Sequence, residues 1–253
     1  MGLVGVTKEI TRHPVKSMTG EKVNQTQVMK YGLYGDRSHA LLEESGSFLT
    51  ITQFAQLVQY RASFSGVESL EAYPEPVIVT PAGQTYRWLD YDWLNEIEKK
   101  LLKQLTRKSY RPEHVPIGPI EDEHLLIVTD ASLQSLSTSW GKHASARRFR
   151  PNLEISLLDK TPFIESEWKG KYLRIGEEVI IEVVKPCERC MIVTVDPENG
   201  TRQPDLLKKL VKEYRNEFGM YARVIRTGKI NTGDGVYLIE NGYPSTGSRM
   251  YSR

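Results

Sequence analysis

The chain has 253 residues, ordinary apolar and charged contents, and a formal net charge of +2 at pH 7. That length can bury a proper core, as one large domain or two closely packed lobes. The small, scattered charge excludes a nucleic-acid-binding stripe, no run reaches membrane-spanning length, and two cysteines make no disulfide framework. A reducing, cytoplasmic setting without a membrane anchor is the expectation.

The first hundred residues read as strand-rich. Short strands are predicted at residues 3–12, 21–28, 38–43 and 77–80, with Gly- and Pro-bearing turns between them. Residues 52–60 read as a short helix with Thr52 near its N-cap. A clearer helix is predicted over 91–105, because Trp93, Leu94, Ile97, Leu101, Leu102 and Leu105 recur at helical spacing. Residues 107–123 hold Pro112, Pro116 and Pro119 without periodicity and read as a crossover between lobes.

From residue 124 the pattern changes. Residues 124–128 form an apolar run expected to be a buried strand. Thr129 and Asp130 cap a helix that Gly141 stops. Strands are expected again over 148–195. Pro204 opens a helix with Leu206, Leu207, Leu210, Val211 and Tyr214 as its stripe, closed by Gly219. A hairpin is predicted next, from 221–227 through Gly233-Asp234-Gly235 to 236–240. The domain reading is an N-terminal lobe over 1–106, a second domain over 107–240 and a flexible tail over 241–253.

Cys187 and Cys190, the only cysteines, flank Glu188-Arg189 at the entry to an apolar run. A structural zinc site lacks further ligands, since no second cysteine pair exists and the five histidines show no paired spacing. A thioredoxin-type pair belongs at a helix start, whereas this pair is expected between two strands. What remains is one functional thiolate beside Arg189, or two buried small residues. Asp196-Pro197-Glu198-Asn199-Gly200 reads as a turn.

Basic residues gather in three further motifs. Lys16-Ser17 follows His13-Pro14, and Asp36-Arg37 follows a Gly-rich turn. Arg148-Phe149-Arg150-Pro151-Asn152 is expected to open a strand, with Arg148 and Arg150 on one face. Paired guanidiniums suit a phosphate or carboxylate. The helix opened by Thr129, with Ser132 in its first turn, offers unpaired backbone N–H groups to an anion. With a reactive cysteine, these groups suggest a phosphorylated cofactor ligated by sulfur. His13 and His39 show no acid or base partner in sequence.

The ordered motifs His13-Pro14-Val15-Lys16-Ser17, Gly35-Asp36-Arg37, Arg148-Phe149-Arg150-Pro151-Asn152 and Cys187-Glu188-Arg189-Cys190 running into Asp196-Pro197-Glu198-Asn199-Gly200 resemble the MOSC family. That family is named for the C-terminal domain of molybdenum cofactor sulfurase. The chain is most similar to the branch containing the mitochondrial amidoxime reducing component and its bacterial relatives. The resemblance spans about residues 10–239. It implies a strand-rich α+β protein in which a β-barrel-like MOSC domain is joined to an N-terminal β-barrel lobe. It implies a molybdenum cofactor (Mo-molybdopterin) with Cys190 as the metal ligand. Lys16, Ser17, Arg37, Thr129, Ser132, Arg148, Arg150, Asn152 and Arg189 match positions that hold or surround the pterin phosphate and metal, and Asp36 fits an orienting role for Arg37.

The implied activity is reduction of N-hydroxylated small molecules. No G-x-G-x-x-G follows a predicted strand, and two cysteines cannot hold a four-thiolate iron–sulfur cluster. No ferredoxin domain is seen in the chain, so an external electron-donor protein is the expected partner. The alternative function is a sulfur or cofactor carrier, with Cys190 holding a persulfide or a transient cofactor without turnover.

Overall fold

Strands of alternating burial, rather than helices, enclose the main core. The computed structural model describes residues 1–117 and 122–240. The N-terminal half contains β1 (Gly2–Arg12), β2 (Glu21–Val23), β3 (Gln25–Met29), β4 (Gly32–Leu33), β5 (His39–Glu43), β6 (Arg61–Phe64), β7 (Pro76–Val79), β8 (Thr85–Arg87), helix α1 (Asp92–Leu101) and β9 (Leu105–Ser109). The C-terminal half contains β10 (Leu125–Thr129), α2 (Asp130–Trp140), β11 (Leu153–Leu157), β12 (Tyr172–Ile175), β13 (Val179–Glu188), α3 (Pro204–Glu213), β14 (Glu217–Arg226), β15 (Gly228–Asn231) and β16 (Gly235–Ile239).

Seven strands close into a barrel in the order β1-β11-β10-β14-β13-β12-β16 and back to β1, with β2 added at the edge of β1. All its pairs are antiparallel except β10–β11, which are parallel and joined through α2. The inward positions of β13, Val179, Ile181 and Val183, meet Ile10, Ile127, Ile155, Leu173 and Val236 in one core. β1 therefore closes a barrel whose other strands all come after residue 124. The remaining strands form three small sheets, β15-β3-β4, β5-β9 and β6-β7-β8.

Two further cores flank the barrel. One packs Trp93, Leu94 and Ile97 of α1 against Leu57, Tyr60 and Ile78. The other packs Leu133 and Leu136 of α2 against Leu206 and Leu210 of α3, with Phe149 and Phe218. The turn after Cys190 is anchored in both: Val193 belongs to the α2–α3 core and Val195 to the α1 core. Among the described residues no helix is long and apolar enough to cross a membrane.

Several local expectations are corrected. The short helix expected over 52–60 is a 3-10 turn, Ala55–Gln59. Helix α1 ends at Leu101 because Leu102 turns left-handed, and Leu105 instead begins a strand. The run after Cys190 is a 3-10 turn, Met191–Thr194, and not a strand. Helix α3 ends at Glu213, before left-handed Arg215 and Asn216, while Gly219 lies within β14. The expected final hairpin is absent: β14 pairs with β10 and β13, β15 with β3, and β16 with β1 and β12. Barrel closure supplies those strands with distant partners, which local turn signals do not encode. Residues 118–121 and the tail 241–253 lie outside the described residues.

Candidate functional site

Barrel rim, flanking cores and N-terminal loops meet at one cleft. It is lined by Ser17, Arg37, Ile51, Glu123, Leu126, Phe149, Arg150, Asn152, Cys187, Glu188, Arg189, Cys190, Ile192 and Tyr221. Residues from all four sequence motifs, both cysteines included, are brought together here, over separations exceeding a hundred residues.

The N-terminal side is built by zipping two loops together. Arg37 N–H donates to the His13 carbonyl at 2.6 Å, His39 N–H to the Pro14 carbonyl at 3.0 Å, and Lys16 N–H to the His39 carbonyl at 2.8 Å. Asp36 is the buried hub. One carboxylate oxygen accepts the His13 N–H at 2.6 Å and the other pairs with the Arg37 guanidinium. This aims Arg37, whose Nη2 also reaches the Arg150 carbonyl at 3.4 Å. Arg150 in turn donates from Nη2 to the Met18 carbonyl at 2.8 Å, tying the second half of the chain to the first.

Backbone conformation marks the same place. Seven non-glycine described residues have φ between +20° and +160°, and Ser17 (70°), Arg37 (52°) and Arg150 (56°) all line this cleft. Such conformations carry strain and concentrate at sites where side-chain or N–H direction matters. Arg150 is thus not extended before Pro151. Arg148 ends a 3-10 turn, Ala146–Arg148, and the strand begins only at Leu153, so the two arginines do not share a strand face.

The cysteines have opposite environments. Cys187 is buried at the end of β13, whereas Cys190 is exposed. Burial pushes the Cys187 thiol up from its ordinary pKa, partly opposed by Arg189 and by a hydrogen bond with Tyr221. Arg189 donates from Nη1 to Cys187 Sγ at 2.6 Å and from Nη2 to the Phe149 carbonyl at 2.9 Å. Its Nε is buried with no hydrogen-bond partner among the described residues. Asn152 is held by Leu126, accepting its N–H at 3.0 Å on Oδ1, and donates from Nδ2 to the Thr11 carbonyl at 3.4 Å.

His13 lies behind the arginines. Burial first, then Arg150 and Arg37, hold its imidazole well below its ordinary pKa, so it is neutral between two guanidiniums. His39, packed among Phe64, Tyr73 and Trp88, is lowered to about 4 by burial.

Four of the expected ligand-holding residues do not line the cleft. Lys16 is buried beside it, with its ammonium 5.7 Å from the Phe48 ring centre. Arg148 pairs with Asp196 at 2.5 Å and Gln203 at 2.9 Å, bracing the Asp196–Gly200 turn. Thr129 and Ser132 are fully buried, and both hydroxyls donate to Glu165 Oε2, at 3.1 and 2.9 Å. Thr129 does cap α2, accepting Ser132 N–H. The carboxylate beside that helix start is therefore the chain's own Glu165. Sequence reasoning missed the lining residues Glu123, Glu188 and Tyr221. Glu188 was legible from strand alternation with Cys190; Glu123 and Tyr221 were not, because they arrive through barrel pairing.

The chain was then compared with known proteins. The MOSC domain family model matches residues 98–237, and that of the MOSC N-terminal beta barrel domain matches residues 4–85. Mitochondrial amidoxime-reducing component 1 of Danio rerio is 28% identical, over 93% of this chain and 85% of that protein. Mitochondrial amidoxime reducing component 2 of Homo sapiens is also 28% identical, over 92% of this chain and 83% of that protein. Molybdenum cofactor sulfurase of Drosophila grimshawi is 25% identical, over 84% of this chain and 31% of that protein. The crystal structure of the YuaD protein from Bacillus subtilis shares the fold, with a TM-score of 0.51 at 12% identity, covering 93% of this chain and 95% of that one. With the first model spanning more than half the sequence and the second most of its N-terminal third, the chain belongs to the MOSC domain family.

Proposed function

We propose that this protein is a molybdenum-cofactor-binding oxidoreductase that reduces N-hydroxylated compounds with electrons from a separate donor protein. The observation that carries the reading is an exposed Cys190 thiol in a cleft also lined by Arg37, Arg150 and Arg189. Similarity to proteins named amidoxime-reducing component supports the substrate class.

The residues present fit the cofactor. A molybdenum centre is satisfied by a thiolate, and Cys190 is the accessible one. A pterin phosphate is anionic, and suits Arg37, Arg150 and Arg189 with the polar groups of Ser17 and Asn152. The unpartnered Arg189 Nε is a buried donor of the kind a ligand completes. Lys16 adds a buried positive charge next to Ser17. When bound, the cofactor would supply the oxidation–reduction chemistry. The chain's own residues orient the site: Asp36 aims Arg37, Arg189 braces Cys187 against Phe149, and buried His13 adds no positive charge near Arg37 and Arg150. Two free cysteines suit a reducing compartment, and a cytoplasmic location is part of the same proposal.

A second reading, a sulfur or cofactor carrier working through Cys190, is favoured by the similarity to molybdenum cofactor sulfurase. Protein produced in a molybdate-supplied host is assayed for molybdenum, pterin fluorescence and cysteine persulfide. It is then tested for benzamidoxime reduction with a chemical electron donor and with NADH alone. Stoichiometric molybdenum and pterin with turnover from the chemical donor are expected. A persulfide without molybdenum, or full occupancy without turnover, favours the carrier.

A further inference from the structure

β13 ends at Glu188, after a register shift between Pro186 and Glu188, and Cys190 just beyond it is extended, with φ and ψ of −117° and −174°. Burial alternates here: Cys187 and Arg189 are buried, while Glu188 and Cys190 are exposed. Glu188 and Cys190 share one face, with Cα atoms about 6.6 Å apart, two residues of extended chain. Both line the cleft.

The other charged groups lining the cleft are already held. Arg37 pairs with Asp36, Arg150 binds the Met18 carbonyl, and Arg189 binds Cys187 and Phe149. Glu123 is paired with Arg223 at 2.6 and 3.2 Å. The nearby ammonium of Lys185 is paired with Asp122 at 2.9 Å. Among the described residues, the Glu188 carboxylate makes no hydrogen bond or close ion pair; its electrostatic neighbour is the Lys185 ammonium, itself held by Asp122. With Glu123 already paired, it stands near the thiol as the acceptor left for something that enters with N–H donors.

We propose that Glu188 determines substrate specificity, receiving the amino N–H of N-hydroxylated amidines and guanidines. This deepens, and rests on, the reading of the cleft as a site of N-hydroxyl reduction. In that reaction an amidoxime takes two electrons from the external donor and two protons from solvent. The N–O bond breaks, oxygen leaves as water, and an amidine remains. The amidine gains one further proton at neutral pH and becomes a planar cation with paired N–H donors. A carboxylate matches that fork with two parallel charge-assisted hydrogen bonds. A hydroxamic acid has one N–H beside its carbonyl and yields a neutral amide, with no cationic fork of paired N–H donors, so it gains less from Glu188. Glu188 positions the substrate and supplies no proton to the reaction.

The test uses cofactor-loaded wild type and Glu188→Gln, with Glu188→Asp as the charge-preserving control. Benzamidine binding is measured by calorimetry, without turnover. The ratio of kcat/KM for benzamidoxime to that for benzhydroxamic acid is measured with a chemical electron donor. Loss of a charged hydrogen-bond acceptor predicts benzamidine binding weakened about tenfold or more in Glu188→Gln, with partial recovery in Glu188→Asp. The kcat/KM ratio should fall as well, by a smaller factor, because the amidoxime itself is neutral. Equal benzamidine affinity in wild type and Glu188→Gln, or no binding to wild type, overturns the assignment. If neither substrate turns over at full molybdenum occupancy, the reductase reading fails, and the benzamidine measurement still decides whether Glu188 receives amidines.

Discussion

Replacing Asp36 with alanine perturbs the cleft where its support is most concentrated. The Asp36 side chain is 1% exposed and the Arg37 side chain 6%. The substitution removes an ion pair and leaves the His13 N–H, bonded at 2.6 Å, without its acceptor. Breaking a buried pair by removing one partner costs about 3–5 kcal/mol, because the remaining charge loses its closest counter-charge. An orphaned backbone N–H adds about 1–3 kcal/mol. Arg37 lines a cleft and can recruit water there, so the low end applies, a total of about 4 kcal/mol. Against a domain stability of about 5–15 kcal/mol this is a large loss. Urea unfolding of wild type, Asp36→Ala, Arg37→Ala and the double variant measures it. The double variant should be more stable than the two single losses imply, because each single variant already breaks the same ion pair. A loss under about 1 kcal/mol for Asp36→Ala, or losses that simply add, would refute the reasoning.

Cys190→Ala should abolish molybdenum retention and N-hydroxyl reduction, while Cys187→Ala should be much milder; metal analysis with activity checks this, and equal losses would revive a paired-thiol mechanism. Glu165 is buried beneath Thr129 and Ser132, and burial raises its pKa against the opposing hydroxyl hydrogen bonds. Its folded pKa exceeds the unfolded value, so the stability linked to its proton is full below the ordinary glutamate range. That stability is lost as pH rises through the folded pKa. The stability difference between wild type and Glu165→Gln, followed by thermal denaturation from pH 4 to 8, should shift against wild type as pH rises; a constant difference contradicts the environment described.

Punctuation and periodicity made the helices legible. Thr129 and Gly141 bracket α2 because a hydroxyl caps the first turn and glycine accepts φ of 76° at the end. The apolar spacing of Trp93, Leu94 and Ile97 predicted α1, and these residues are buried together. The strand-rich class was readable too, from short runs between turn residues, while the barrel was expected only through the family that the ordered motifs resemble. Strand partners were not. The expected hairpin at the C-terminus failed because β16 completes a ring with β1, a contact that local turn residues cannot report.

The site divides along the same line. Sequence determined which residue types were available: two cysteines, the arginines of three motifs and an aspartate beside Arg37. Tertiary structure decided which of them meet. Arg150 enters the cleft because its backbone turns left-handed at a φ of 56°, against the extended bias of a residue before proline. Arg148, two residues away, turns to Asp196 and braces a loop instead. Thr129 and Ser132 could have faced an anion, but Glu165 folds in as their carboxylate partner. Cys187 is buried and Cys190 exposed, and the two cores that take in Val193 and Val195 hold the Met191–Thr194 turn beside that exposed thiol. Charge and chemistry are properties of single residues and are written in order along the chain. Convergence is a property of long-range packing, because only barrel closure and loop-to-loop hydrogen bonds bring Ser17, Arg37, Arg150 and Cys190 to one cleft.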